Sequence, residues 1–137
     1  MIAVRPMPAV LLAGTAVAVP AGVWLLWNFD PNVAGNPFVP CIFHALTGYF
    51  CIGCGITRAL HALVHGDLLR AFGMNPLAMI VLPLVPLMIA YSRGWQPRLL
   101  QPLMRWVMEP RLWLVLLPGY WIARNLPWFP FTLMAPG

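Results

Sequence analysis

The chain has 137 residues, of which 61% are hydrophobic and only 8% are charged, and its net charge is +5. A soluble domain carries about 25% charged residues, so this composition excludes a water-soluble fold with a polar surface and predicts lipid as the solvent. The positive charge comes entirely from arginines scattered along the chain, which excludes a nucleic-acid-binding surface. We therefore predict one all-α integral membrane domain over residues 1–137, with about three transmembrane helices.

The first predicted span covers residues about 7–28, which form an apolar stretch without a charge. Arg5 precedes it, and residues 16–18 resemble a signal-peptide cleavage site. The apolar run nevertheless continues to Trp24 and Trp27, which are typical of an interfacial aromatic belt. These features favour an uncleaved anchor.

A loop rich in proline and glycine at residues 30–40 leads into the segment 41–73, which holds all three cysteines and all three histidines. From Thr57 onwards the apolar residues follow helical spacing, and the polar residues lie on the opposite side. This pattern predicts an interfacial or re-entrant amphipathic helix that carries the cysteine motif.

Two further spans are predicted in the second half of the chain. Residues 77–91 form an apolar helix with prolines that should bend it. Residues 92–111 are basic and interrupted, with an interfacial helix predicted at 99–107. The third span is predicted at 112–131, with Arg124 inside the helix or near one interface, because Arg111 and Arg124 are too close to bracket a bilayer.

The distribution of arginines predicts the orientation of these helices. Basic loops stay on the cytoplasmic side, so the amino terminus and the loop at 92–111 should be inside, and the cysteine motif and the carboxyl terminus outside. Arg58, Asn75, Arg124 and Asn125 should then lie at the same membrane face as the cysteines.

The spacing of Cys51 and Cys54 suits a zinc ion, a disulfide or a redox pair. Cys41 is a candidate third ligand, and His44 or His61 a candidate fourth ligand. An outside location favours a disulfide over a free thiol. The alternative is that the cysteines are small packing residues in an apolar protein.

Small residues before the predicted helix suggest a helix amino terminus with Thr57 as its cap, where backbone amides attract anions. A lipid phosphate is the expected anion at a membrane face. Such a helix start should also lower the pKa of Cys54, which makes this residue the candidate catalytic nucleophile. The alternative is that Arg58 pairs with Asp67 or extends to water. The residues predicted to bind an anion or headgroup are Gly53, Gly55, Thr57, Arg58, Arg124 and Asn125.

Residues 51–59 read Cys-Ile-Gly-Cys-Gly-Ile-Thr-Arg-Ala, and Cys41, His44 to Gly48, His61, Gly66-Asp67 and Asn75-Pro76 flank them. This pattern resembles a bacterial membrane-protein domain of unknown function (DUF) family, whose hallmark is Cys-Pro-Gly-Cys-Gly-x-Thr-Arg-Ala. Residues 124–127 resemble its late Arg-Asn-x-Pro motif, and the resemblance extends from about residue 41 to 133. Ile42 and Ile52 stand where proline is usual. The resemblance implies a small multi-span protein of the bacterial inner membrane and supplies no activity.

Two functions fit these observations. In the first, the cysteines form a knuckle stabilised by zinc or a disulfide, which presents Arg58 and Arg124 to a lipid headgroup or a partner membrane protein. In the second, the protein is a membrane thiol oxidoreductase or a lipid-modifying enzyme that uses Cys54.

Overall fold

The computed structural model describes residues 9–136, and the regular secondary structure of this part of the chain is helical, without strands. The α-helices are α1 (Ala9–Asn28), α2 (Ile42–Thr47), α3 (Ile56–Val64), α4 (Leu68–Met74), α5 (Pro76–Ser92), α6 (Gln101–Val107) and α7 (Pro110–Arg124). Short 3-10 turns lie at Arg98–Leu100 and Phe131–Met134. The expectation of an all-α fold is thus confirmed.

One described helix, α1, is long and apolar enough to cross a membrane by itself, and none of its residues is buried inside the protein. It lies near the amino terminus, where a signal sequence has the same properties. Helices α4 and α5 reach the required length and hydropathy only when they are counted as one span bent by 105°. The orienting Arg5 and the first two residues of the predicted span lie outside the described residues.

The helix predicted for the second span agrees with the structure, whereas the helix predicted for the third span agrees only in part. The helix predicted at 77–91 is present as α5, and Pro83 and Pro86 lie within it. The helix predicted at 112–131 is present up to Arg124, where α7 ends, and is wrong beyond that residue. Pro127 explains this ending, since the residue before a proline avoids the helical region of backbone space. With 15 residues, α7 is only about 22 Å long.

Side-chain caps begin both α4 and α5, and the cap of α5 lies at the junction between these two helices. Asp67 begins α4 by accepting a hydrogen bond from the backbone N–H of Arg70 at 3.0 Å. Asn75 begins α5 in the same way, accepting from the N–H of Ala78 at 3.0 Å, and Pro76 fills the first helical position. These two caps fix the chain direction on each side of the bend.

A small core holds these helices together. Ala59 and Ala62 of α3 pack with Ala71 of α4 and Met79 of α5. Alanines at these contacts let the helix backbones approach closely, which is typical of membrane proteins. The helix predicted from Thr57 is therefore present as α3, and its small apolar face is covered by α4 and α5.

Helix α1 ends beside α3. The Nδ1 atom of His61 lies 2.7 Å from the carbonyl oxygen of Leu26, and the ring of His65 stacks on Trp27 with centroids 4.7 Å apart. These contacts join the first helix to the segment that carries the cysteines.

Candidate functional site

The three cysteine sulfurs converge on one point. The Sγ atom of Cys51 lies 3.3 Å from that of Cys41 and 3.0 Å from that of Cys54, and all three sulfurs lie within 4.8 Å of one another. All three are free thiols. Three sulfurs at this separation form a group that can hold a metal ion, although the geometry does not identify the metal.

The loop that places Cys51 and Cys54 together is a tight turn. The Sγ atom of Cys54 accepts a hydrogen bond from the backbone N–H of Cys51 at 3.1 Å, which holds the Cys54 sulfur against the start of the turn. Gly55 then reverses the chain with a φ of +83°. A Cβ atom at Gly55 would lie 2.7 Å from the carbonyl oxygen of Met74, so only glycine fits this position.

A buried arginine, Arg124, packs against the backbone of this loop. Arg124 is 1% exposed. Its Nη1 donates to the carbonyl oxygens of Cys51 at 2.9 Å and Ile52 at 3.1 Å, and its Nη2 donates to those of Cys54 at 2.9 Å and Met74 at 3.4 Å. The guanidinium carbon also lies 5.8 Å from the ring centre of Phe50. One cation thus fixes three carbonyl groups of the turn, those of Cys51, Ile52 and Cys54.

Asn75 supports the same carbonyl groups. This side chain is completely buried, and its Nδ2 donates to the carbonyl oxygens of Ile52 at 2.9 Å and Cys54 at 3.2 Å. Its Oδ1 accepts the hydroxyl hydrogen of Tyr120 at 2.9 Å in addition to capping α5. Asn75 therefore couples the start of α5 and the middle of α7 to the cysteine turn.

Asn125 pairs with the residue at the entrance to the turn. Its Oδ1 accepts from the N–H of Phe50 at 2.8 Å, and its Nδ2 donates to the Phe50 carbonyl oxygen at 2.9 Å and to that of Trp121 at 2.8 Å. The Asn125 amide therefore pairs with both backbone polar groups of Phe50, as a neighbouring β-strand would. This pairing anchors the turn to the end of α7.

These contacts bring the predicted residues together but change the roles of two of them. Arg124 and Asn125 do lie against the cysteine segment, as expected from their common membrane face. They were expected to present polar groups to a headgroup, whereas four carbonyl oxygens surround the Arg124 guanidinium and Asn125 is engaged with Phe50 and Trp121. The Nη1 and Nη2 atoms of Arg124 and the Nδ2 atom of Asn125 donate to backbone carbonyl groups, so both residues support the turn, while the Nε of Arg124 is buried without a hydrogen-bond partner.

The predicted helix start also differs in detail. Gly55, not Thr57, occupies the capping position of α3, and no side chain caps this helix. The expected lowering of the Cys54 pKa is wrong for the protein as described. Burial leaves Cys54 6% exposed, and this desolvation, with the neighbouring thiols of Cys51 and Cys41, raises its pKa to about 12.

Cys41 has the opposite environment. It precedes α2, and the backbone N–H of His44 is the main cause of a lowered pKa at this partly exposed thiol, with help from the thiols of Cys54 and Cys51. A thiolate is the form that binds metals and attacks electrophiles. Of these two thiols, Cys41 is thus the more acidic and Cys54 the more buried.

The histidines do not join the sulfur cluster. His61 points to α1, where its Nε2 lies 3.8 Å from the carboxylate of Asp30. His44 stacks on Phe50 at 4.6 Å between ring centres, and its Nδ1 lies 3.2 Å from the carbonyl oxygen of Tyr49. Among residues 9–136, the cysteines alone form the group with ligand atoms within 4.8 Å, so neither histidine is a ligand in this arrangement.

A cavity of about 650 Å³ adjoins the cluster. The lining residues with polar or charged side chains or thiols are Asn36, Cys41, His44, Cys54, Thr57 and Arg58. Apolar side chains, including Phe38 and Val39, form much of the remaining wall. The cavity therefore connects the sulfurs with the start of α3.

Sequence reasoning missed Tyr120 and the central role of Asn75. An asparagine before a proline between two apolar segments is a capping signal that the sequence does offer. Tyr120 carries no comparable signal, because an apolar helix gives no indication of which of its aromatic residues finds a buried partner.

The family model described as "Protein of unknown function (DUF2752)" matches residues 41–89. This match confirms the resemblance to a family of unknown function over the segment from Cys41 through most of α5. The Arg-Asn-x-Pro sequence at 124–127 lies beyond the matched residues, although its first two side chains contact the matched turn. No curated protein and no solved structure matches the chain significantly.

Proposed function

We propose that this chain is a membrane protein that binds one divalent metal ion through Cys41, Cys51 and Cys54. Zinc is the first candidate for this ion. The convergence of three sulfurs within 4.8 Å is the observation that carries the proposal. A disulfide needs only two sulfurs and would leave the third without a role. Tetrahedral zinc–thiolate bonds of about 2.3 Å separate sulfurs by about 3.8 Å, which small side-chain rotations achieve from the observed distances.

The buried charge of Arg124 supports a metal–thiolate centre. Asp30 pairs with His61 and Glu109 with Arg111, and among the described residues no carboxylate pairs with Arg124. A buried cation without a counter-charge is costly. Three thiolates and one divalent ion carry one net negative charge, which Arg124 balances directly behind the turn.

The ends of the long helices support the membrane topology that we propose. The last turn of α1 contacts α3 through Leu26, Asn75 begins α5 at the cysteine turn, and Arg124 ends α7 there. In the proposed topology α1, α5 and α7 cross the bacterial cytoplasmic membrane, with the amino terminus inside and the metal centre outside. At about 22 Å, α7 then requires local thinning of the bilayer.

A thiol oxidoreductase is the second candidate, and the 3.0 Å separation of the Cys51 and Cys54 sulfurs favours it. A lipid-modifying enzyme with Cys54 as nucleophile has less support. Its thiol is buried, and a pKa raised to about 12 leaves little thiolate at neutral pH.

The test is elemental analysis of detergent-purified protein together with a count of free thiols. The metal proposal expects one zinc per chain, which the Cys51→Ser variant loses and the His61→Ala control retains. After chelation, three thiols should react. One reactive thiol per chain without metal, restored to three by a reductant, would instead establish the redox pair.

A further inference from the structure

The connection between α5 and α7 carries a helix that the cysteine site does not use. Helix α6 (Gln101–Val107) follows the short turn at Arg98–Leu100 and contacts both α5 and α7. Helix α5 ends at Ser92 and α7 begins at Pro110, so α6 lies at the ends of these two helices that are remote from the cysteine turn. In the proposed topology these ends face the cytoplasm.

One side of α6 packs on the protein. Met104 is completely buried and Val107 is buried as well, and their spacing of three residues places them on the same side of the helix. The backbone carbonyl oxygen of Val107 also accepts a hydrogen bond from Nε1 of Trp113 in α7 at 2.7 Å. These contacts fix the orientation of α6 and leave its other two sides exposed.

The second side of α6 is apolar. Leu99, Leu103 and Trp106 follow one another at spacings of four and three residues, which place them on one side of the helix. Leu99 is 87% exposed and Trp106 is 71% exposed. A surface of this kind is unfavourable in water, whereas leucine and tryptophan are typical of helices that lie in the membrane interface. This side therefore suits the acyl chains of the bilayer that α5 and α7 cross in the proposed topology.

The third side of α6 is cationic. Arg98 and Arg105 are both exposed, and their separation of seven residues is close to two helical turns. Among the described residues, no carboxylate pairs with either arginine. Glu109, the single acid between α5 and α7, lies 3.9 Å from Arg111 instead. Two positive charges beside an apolar side thus remain available for an external anion.

We propose that α6 and the turn before it form a binding surface for anionic phospholipids of the cytoplasmic leaflet. Arg98 and Arg105 contact the lipid phosphates, and Trp106 lies with its apolar neighbours among the upper acyl chains. A zwitterionic lipid carries the same phosphate without a net negative charge, so each arginine favours the anionic lipid by about fivefold. This inference rests on the proposed membrane topology and is independent of the metal site.

The experiment uses the full-length protein in a non-ionic detergent and native mass spectrometry, which counts the lipids that stay bound. Phosphatidylglycerol and phosphatidylcholine of equal chain length are added in separate titrations. Phosphatidylglycerol should bind at least about fivefold more tightly, and the difference should decrease as the ionic strength of the solution rises. Equal affinity for the two lipids would overturn the inference and leave the apolar side of α6 to a partner protein.

Variants locate the lipid on the protein. Arg98→Gln and Arg105→Gln should each reduce the preference for phosphatidylglycerol about fivefold, and the double variant should abolish it. Because both side chains are exposed, the thermal unfolding of these variants should match that of the unmodified protein. The control is Arg70→Gln, at an exposed arginine of α4 near the cysteine end of the fold, which should keep the preference. A folded double variant with the full preference would place the lipid elsewhere and refute the inference.

A separate measurement tests the side of the membrane. Gln101 is exposed, so the Gln101→Cys variant can be treated with a membrane-impermeant maleimide. In intact cells the peptide that contains residue 101 should stay unmodified, and it should be modified once the membrane is opened, as mass spectrometry of peptides shows. Modification in intact cells would refute the proposed topology and the cytoplasmic location of this surface, while the metal content of the protein stays an independent question.

Discussion

Replacing Arg124 by glutamine should destabilise the protein severely, because this side chain fixes the cysteine turn. The guanidinium makes two hydrogen bonds at 2.9 Å, to the carbonyl oxygens of Cys51 and Cys54. A hydrogen bond to a charged group contributes about 1.5–3 kcal/mol, so losing two should lower the free energy of unfolding by about 3–6 kcal/mol. The shorter amide of glutamine cannot span both carbonyl groups.

The matched control is Arg111→Gln, the same substitution in the same helix. The Arg111 side chain is 91% exposed, so its loss should change the free energy of unfolding by no more than about 0.5 kcal/mol. Thermal unfolding in detergent, followed by circular dichroism, measures both variants. A change of less than about 1 kcal/mol for Arg124→Gln, or equal changes for both variants, would refute the idea that this arginine supports the turn.

Three further predictions concern the same turn. Gly55→Ala should destabilise the protein by more than about 1 kcal/mol, because it combines a positive φ with a backbone clash, whereas Gly53→Ala meets only ordinary contacts and should be nearly neutral in the same unfolding assay. Tyr120→Phe should lower the free energy of unfolding by about 1 kcal/mol through loss of one hydrogen bond to the buried asparagine, measured by thermal unfolding. In reduced, metal-free protein at pH 8, iodoacetamide should label Cys41 well before Cys54, because the Cys41 pKa is lowered and the Cys54 pKa is raised. Labelling of Cys54 should accelerate only as the pH approaches 12, and mass spectrometry of peptides gives both rates.

Local patterns in the sequence predicted the helical parts of this fold well. Helical spacing from Thr57 corresponds to α3, and the proline-containing apolar stretch corresponds to α5. The Cys-x-x-Cys spacing brought Cys51 and Cys54 together as expected, because a tight turn determines their separation. The geometry of a short segment depends mainly on neighbouring residues, so a single sequence is enough to predict it.

Contacts between distant residues were harder to predict. The sequence marked Arg124 as costly in a membrane, but it gave no reason to choose burial against carbonyl groups over exposure to a headgroup. That choice depends on where α7 packs, as does the hydrogen bond from Tyr120 to Asn75. The end of α7 was missed because hydropathy continues past Arg124, while Pro127 and the Asn125 contacts stop the helix.

The long sequence separation between Arg124 and the cysteine turn has a consequence for biosynthesis. Arg124 lies 73 residues after Cys51, whose carbonyl group it holds. The ribosome therefore synthesises all three cysteines long before it reaches the residue that supports their turn. Until α7 has been made, the sulfurs lack this support and are exposed to oxidants, so a carboxyl-terminal truncation at residue 109 should form disulfides that gel-shift labelling of free thiols detects, whereas the full chain should not.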